Sequence, residues 1–179
     1  RASSLPGEPE LAFAHALVRD AAYATLADED RASCHRLAGA WLAARGAPDA
    51  VVLAEHFTRG AAHEEARAWW KRAAERALEG NDLSAAVDRA ERGVAAGATG
   101  EALGALRRIQ AEAHRFRGEL AQAEARAAEA MALLPRHDSA MRRAAAELAA
   151  AAGLIGGVER VEAVARELPD DDEPDPRLR

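Results

Sequence analysis

The sequence predicts an all-α fold in which antiparallel helix pairs stack side by side as an α-solenoid of eight or nine helices. Three observations support this prediction. Alanine supplies 50 of the 179 residues, and it is the strongest helix former and a poor strand former. Glycine and proline interrupt the chain at regular intervals, as they do at helix ends. A turn pattern also recurs at a nearly constant period.

Each predicted helix lies between two of these interruptions, because Gly ends a helix at little cost and Pro cannot continue one. The predicted ranges are 15–27, 30–45, 49–59, 63–79, 83–96, 101–117, 119–134 and 138–152, with a ninth helix at 157–168. Side-chain oxygens near five helix starts are expected to cap backbone amides; they belong to Asp30, Asp49, Asp82, Thr99 and Asp138. Connections this short make successive helices antiparallel.

The turns before three of the helices are similar to one another. They begin at Asn81, Gly118 and Gly156, so the intervals are 37 and 38 residues. In the first two copies, small residues follow the first apolar residue of the helix at offsets of 3, 7 and 10. A helix pair repeated at this period cannot bury its apolar stripe alone, so it must stack on the next pair.

This pattern resembles the tetratricopeptide repeat. In the first copy, the residues at the packing positions of that repeat are Trp70, Ala74, Ala77, Ala86, Ala90 and Gly93. In the second copy, they are Ala111, His114, Ala123, Ala127, Ala130 and Pro135. The sequence departs from the repeat at Arg107, where a large apolar residue is usual, at His114, where tyrosine is usual, and at Val161 in the third copy. The resemblance implies a right-handed superhelix whose concave side is lined by the first helix of each pair.

The N-terminal third resembles a stretch of large bacterial regulators. The residues that carry this resemblance are 13–23, Asp30-Arg31, 35–38 and 54–57. Such regulators have a signal-transduction ATPase module of the AAA or STAND type, often coupled to a serine/threonine kinase, adenylate cyclase or LuxR-type domain, with tetratricopeptide repeats downstream. The two resemblances imply N-terminal helices over 1–62 next to an upstream ATPase module and repeats over 63–168. Charge and prolines predict an acidic disordered tail or linker over 169–179, and the chain is expected to be a fragment of a longer protein.

Charge and composition argue against several classes of partner. The net charge is −6, which disfavours nucleic acid, since contacts to phosphates need a basic face. The longest uncharged stretch near the C-terminus, 148–158, has 11 residues, fewer than the roughly 18 that a membrane span needs. No secretory signal is visible, and the single Cys34 cannot form an internal disulfide. We therefore expect a cytoplasmic protein.

Motifs for catalysis and metal binding are not found in the sequence. The only lysine, Lys71, falls inside a predicted helix, so there is neither a P-loop nor the strand lysine of a kinase. His63 has no second histidine four residues on. Cys34 and His35 are adjacent, hence about 100° apart on a helix, and His15 and His56 would approach them only by an accident of folding. No catalytic residue, cofactor or metal is therefore predicted.

The sequence predicts a non-enzymatic protein–protein interaction module of a bacterial signal-transduction protein. Because stacking uses the apolar stripes, specificity is expected from charged residues on the first helices. The predicted partner-binding residues on the concave face are Lys71, Glu75, Arg108, Glu112 and Arg115, and the third first helix carries Arg143 and Glu147. The cations would bind an acidic peptide or carboxylate, although such residues can also form a solvated face of weak ion pairs. The Trp69-Trp70 region is a second candidate for the binding surface, although at least one of the two tryptophans is expected in the core.

The expected partner is a protein or peptide, flanking domains of the same chain included. Two alternatives remain open. One is a small-molecule sensor domain that regulates an attached ATPase or kinase, and the other is a scaffold that associates with itself. Neither nucleic acid nor a membrane is expected as a partner.

Overall fold

The computed structural model describes residues 12–46 and 49–168. Within these residues all regular secondary structure is helical, which confirms the predicted all-α class. The nine helices found there are α1 (Ala16–Ala24), α2 (Asp28–Ala44), α3 (Ala50–Arg59), α4 (His63–Glu79), α5 (Leu83–Ala95), α6 (Gly100–Phe116), α7 (Leu120–Leu133), α8 (Ser139–Leu154) and α9 (Val158–Glu167). The tail predicted over 169–179 lies outside the described residues. None of these helices combines the length and apolar character that crossing a membrane requires.

Aspartate side chains cap three of the helices, as predicted. The carboxylates of Asp49, Asp82 and Asp138 accept hydrogen bonds from first-turn amides of α3, α5 and α8 at 2.9, 3.1 and 2.8 Å. The prediction is wrong for the other two residues. Thr99 takes the N-cap position of α6, but its side chain makes no capping hydrogen bond. Asp30 lies inside the first turn of α2, where its negative charge still interacts favourably with the helix dipole.

The chain divides into two compact units, residues 1–69 and 70–179, with the division inside α4. In the first unit, α2 packs against α3. Gly39 makes this possible, because a Cβ there would lie 3.2 Å from the Phe57 ring. Arg36 Nη1 also donates a hydrogen bond to the Gly60 carbonyl at 2.7 Å. Helix α1, by contrast, has no buried residue.

The second unit contains the end of α4 and helices α5 to α9, packed in sequence order. Each helix from α5 onward packs against the next, and α6 also packs against α8. Ala74 and Ala77 of α4 join Ala86, Ala90 and Leu106 in one buried cluster. Neighbouring helices thus form antiparallel pairs that stack, as the sequence predicts. The right-handed twist of the stack stays a prediction.

The small residues at repeat positions lie where the helices approach one another most closely. Residues at seven of these positions are fully buried, at 0% exposure: Ala74, Ala86, Ala90, Ala111, Ala123, Ala127 and Ala130. At Gly93, a Cβ would lie 2.9 Å from Leu106 Cδ1 and 3.4 Å from Trp70 Cβ. Trp70 is only 2% exposed, whereas Trp69 is half-buried. The prediction that at least one tryptophan belongs to the core is confirmed.

Arg107, the first departure from the tetratricopeptide pattern, is the centre of a polar network that joins three helices. Its Nε lies 2.8 Å from Glu129 Oε2 on α7, and its Nη1 lies 3.2 Å from Glu91 Oε2 on α5. Nη1 also donates to the buried Gln110 Oε1 at 2.7 Å, and Gln110 Nε2 donates to Glu91 at 2.8 Å. Ion pairs and hydrogen bonds therefore replace the apolar contacts that a large side chain would make here.

His114, the second departure, stabilises the turn between α6 and α7. Its Nδ1 lies 2.6 Å from Glu119 Oε2, and Arg117 Nη2 lies 2.8 Å from the other carboxylate oxygen. The hydrogen bond with His114 is the main cause that lowers the pKa of Glu119, and Arg117 lowers it further. The carboxylate is thus held ionised between two donors at the start of α7.

Candidate partner-binding groove

An open groove of about 490 Å³ runs along one face of the second unit. Its lining comes from α4, from α6, and from α8 together with the turn before it. These are the first helices of the three helix pairs. The lining residues are Lys71, Glu75, Glu101, Ala102, Ala105, Arg108, Leu134, Asp138, Ser139, Ala140 and Arg143.

Small side chains give the groove its depth. Ala102 and Ala105 are three residues apart on one face of α6, and Ala140 lies in the first turn of α8. Because an alanine side chain ends at Cβ, it projects little from the helix and leaves room for side chains of a partner. Leu134 is 6% exposed and packs with Met141 in a buried cluster. The apolar part of the groove is therefore supported by the core.

Six charged residues line the groove, three of each sign. Lys71 Nζ lies 3.0 Å from Glu75 Oε1, and Arg108 Nη1 lies 3.0 Å from Glu112 Oε2, both along single helices. Arg143 is exposed, and no carboxylate within residues 12–46 and 49–168 forms an ion pair with it. Lys71 and Arg108 are thus paired and partly buried, whereas Arg143 is exposed.

Three of the five predicted partner-binding residues, Lys71, Glu75 and Arg108, lie in this groove. The other two are not part of its lining. Glu112 forms the ion pair with Arg108. Arg115 contacts Glu147 on α8, with Nε 2.5 Å from Oε2 and Nη2 3.3 Å from Oε1. This hydrogen bond raises the pKa of Arg115, and its guanidinium is already engaged within the unit.

Two anionic lining residues, Glu101 and Asp138, were not among the predicted site residues. Both lie at the beginning of a first helix, Glu101 in the first turn of α6 and Asp138 at the N-cap of α8. The sequence signals their position along the helix, as the prediction of Asp138 as a cap shows. It does not signal that α6 and α8 bring these ends to one groove, which depends on tertiary packing.

A smaller cavity, of about 270 Å³, lies among α7, α8 and α9. Apolar residues supply much of its lining, with charged residues among them: Ala128, Met131, Ala132, Arg136, Met141, Leu148, Arg160, Ala163, Val164 and Glu167. Two arginines are engaged in contacts of their own, since Arg136 donates to the Glu167 carbonyl at 3.0 Å and Arg160 pairs with Glu124 at 3.2 Å. The lining thus combines apolar side chains with two arginines and one glutamate.

Within the described residues, no group of three or more His, Cys, Asp or Glu side chains is arranged to bind a metal ion. Comparison of the chain with protein-family models, curated proteins and solved structures finds no match. The two family resemblances noted in the sequence therefore stay predictions.

Proposed function

We propose that the second unit is a non-enzymatic protein-interaction module that binds an acidic peptide, or an acidic segment of a flanking domain, in the groove. The observation that carries this proposal is that the first helices of three successive pairs line one groove, with Lys71, Arg108 and Arg143 from three different helices. Grooves formed by stacked helix pairs bind extended or helical segments. Cations on three helices match a partner that carries several carboxylates.

The three cations differ in what a partner must displace. The pair of Lys71 with Glu75 is partly exposed, at 43% and 35%, and exposed pairs at this spacing stabilise a helix by only about 0.3–0.5 kcal/mol. A partner carboxylate displaces this pair at little cost and meets Arg143 without displacing any ion pair. Arg108 is only 12% exposed and its partner Glu112 29%, so exchange of that pair costs more. We expect Arg143 to contribute most per side chain.

The wider context that we propose is a cytoplasmic bacterial signalling protein. Residues 13–23, 35–38 and 54–57 resemble regulators in which helical repeats follow an ATPase module and accompany a kinase, cyclase or LuxR-type domain. In such a protein the groove would bind either a separate partner or a segment of a flanking domain. The binding chemistry is the same in both cases.

The proposal is tested with a fluorescent Glu-rich peptide and a Lys-rich peptide of the same length. We expect the Glu-rich peptide alone to bind, and the double substitution Arg108→Glu with Arg143→Glu to weaken its affinity by about tenfold or more. Arg142→Glu is the matched control for Arg143→Glu, because Arg142 is exposed and adjacent but does not line the groove. Equal effects of the substitutions at 142 and 143 would contradict the proposal.

A second candidate function, small-molecule sensing, is favoured by the cavity among α7, α8 and α9. A ligand that binds only the folded state raises the melting temperature by mass action. A metabolite screen by thermal shift tests this candidate, with Met131→Trp as the variant that fills the cavity. A shift that persists in Met131→Trp would place the ligand elsewhere.

A further inference from the structure

Three side chains from three helices of the first unit form a continuous chain of polar contacts. The Tyr23 hydroxyl on α1 lies 2.9 Å from His35 Nε2 on α2. His35 Nδ1 lies 3.1 Å from His56 Nδ1 on α3, with the ring centroids 5.1 Å apart. The packing of α2 on α3 brings the two rings together, although they are 21 residues apart in the sequence.

The contact with Tyr23 orients the His35 ring. A neutral imidazole carries one ring proton. If Nε2 donates that proton to the Tyr23 oxygen, Nδ1 presents a lone pair towards His56. In metal sites, the second ring nitrogen of a ligating histidine is commonly held by such an outer partner.

The distance between the two Nδ1 atoms matches chelation of one cation. Bonds of about 2.0–2.1 Å from a metal to two imidazole nitrogens place those nitrogens about 2.9 Å apart at a right angle and about 3.4 Å apart at a tetrahedral angle. The observed 3.1 Å falls between these values. The separation of the two nitrogens therefore suits a chelated cation. Such a cation replaces the hydrogen bond between the two Nδ1 atoms, and each neutral ring then carries its proton on Nε2.

The surroundings leave room for the remaining ligands. His35 and His56 line an open depression of about 200 Å³ together with Val51, Val52, Glu55 and Arg59. Water molecules can occupy the other coordination positions there. Arg59 opposes a cation, and Glu55, whose Oε2 lies 3.7 Å from Arg59 Nε, offsets part of that charge.

We propose that His35 and His56 bind a divalent transition-metal cation through their Nδ1 atoms, with water as the other ligands and Tyr23 as a positioning residue. Imidazole nitrogens suit Zn²⁺, Ni²⁺ and Cu²⁺, and the general order of affinities makes Cu²⁺ the tightest of the three. The site is independent of the peptide groove and lies in the other unit.

The test is calorimetric titration of the 179-residue chain with Cu²⁺ and, separately, with Zn²⁺. All proteins carry Cys34→Ser, because an exposed thiol binds soft cations by itself. We expect one cation per chain. Tyr23→Phe should weaken binding by about 10- to 100-fold, the usual cost of losing an outer hydrogen bond to a metal ligand. His35→Gln and His56→Gln should each weaken binding more than Tyr23→Phe does. His63→Gln is the matched control, since it removes an exposed imidazole outside the depression.

Two further measurements test the proposal even if a histidine variant does not fold. Arg59→Gln removes a positive charge beside the site, so we expect it to tighten binding, which loss of folding cannot do. In the chain with its histidines intact, the electron paramagnetic resonance spectrum of bound Cu²⁺ should show coupling to two imidazole nitrogens. Coupling to fewer than two, or equal weakening by His35→Gln and His63→Gln, would overturn the proposal.

Discussion

Arg115 on α6 binds Glu147 on α8 through two contacts, at 2.5 and 3.3 Å. The exposed fractions of the two side chains are 23% and 14%. The pair therefore joins the first helices of two successive pairs in a partly dry environment, where electrostatic interactions are stronger than at the surface. Because α6 and α8 both line the groove, this pair helps to fix the groove's width.

Glu147→Gln is expected to lower the free energy of unfolding by about 1.5–3 kcal/mol, the range for hydrogen bonds to charged groups. The substitution leaves the partly buried Arg115 guanidinium without the carboxylate that it binds directly. Urea denaturation monitored by circular dichroism measures the change. Glu162→Gln is the control, because its pair with Arg166 on α9 is exposed and should contribute less than about 0.5 kcal/mol. Equal effects of the two substitutions would show that the Arg115–Glu147 pair has no special structural role.

The close approach of α6 to the end of α7 predicts opposite effects of two Gly→Ala substitutions. A Cβ at Gly104 would lie 2.9 Å from Leu134 Cγ and 3.0 Å from Leu133 Cβ, whereas a Cβ at Gly153 would lie 3.9 Å from Val161 Cγ2, an ordinary van der Waals distance. We expect Gly104→Ala to destabilise the unit by about 1–3 kcal/mol through overpacking. Gly153→Ala should stabilise it by up to about 1 kcal/mol, because alanine is the better helix former. Thermal denaturation of both variants checks the prediction, and destabilisation of similar size would contradict it.

The network around Arg107 predicts how Glu91 responds to pH. The hydrogen bond from Gln110 is the main cause that lowers the pKa of Glu91, and Arg107 lowers it further. Since the pKa is lower in the folded state than in the unfolded chain, this contribution to stability is present above the unfolded pKa. It is lost as the pH falls through the folded pKa. The Glu91 side chain is 58% exposed, so the contribution should stay below about 1 kcal/mol.

Gln110→Met tests this relationship directly, because methionine preserves the length of the side chain and donates no hydrogen bond. We expect the pKa of Glu91 to rise in the variant, and the variant to lose less stability than the unaltered chain on acidification. Titration of the carboxyl carbon by NMR follows the first effect, and urea denaturation at several pH values follows the second. An unchanged pKa of Glu91 would show that Gln110 is not the main cause.

Most of the fold could be predicted because its determinants are local. The helix bounds in the structure differ from the predicted ones by at most three residues, since Gly, Pro and capping side chains act within a turn or two of the chain. The buried alanines were found because the repeat places them at a constant offset from Leu83 and Leu120. The capping prediction was wrong only at Asp30 and Thr99, whose side-chain oxygens lie near a helix start but make no capping hydrogen bond.

The candidate sites could be predicted only in part, because they depend on which helices pack together. Helical spacing placed Lys71 and Glu75 on one face, but the approach of Arg143 to them requires the stacking of successive pairs. The ion pair of Arg115 with Glu147 spans 32 residues. The contact of His35 with His56 spans 21 residues. Neither spacing has a local signature in the sequence.

The two adjacent tryptophans predict a large difference between neighbouring substitutions. Trp70 is 2% exposed, with Arg92 over its ring at 5.0 Å, whereas Trp69 is half-buried. Trp70→Ala should therefore cost about 3–5 kcal/mol, the usual range for truncating a buried aromatic residue, and Trp69→Ala should cost less because water already reaches its ring. Urea denaturation of the two variants measures the difference. If Trp69→Ala proved the more damaging, the helical register assigned to α4 would be wrong, and with it the placement of Lys71 and Glu75 in the groove.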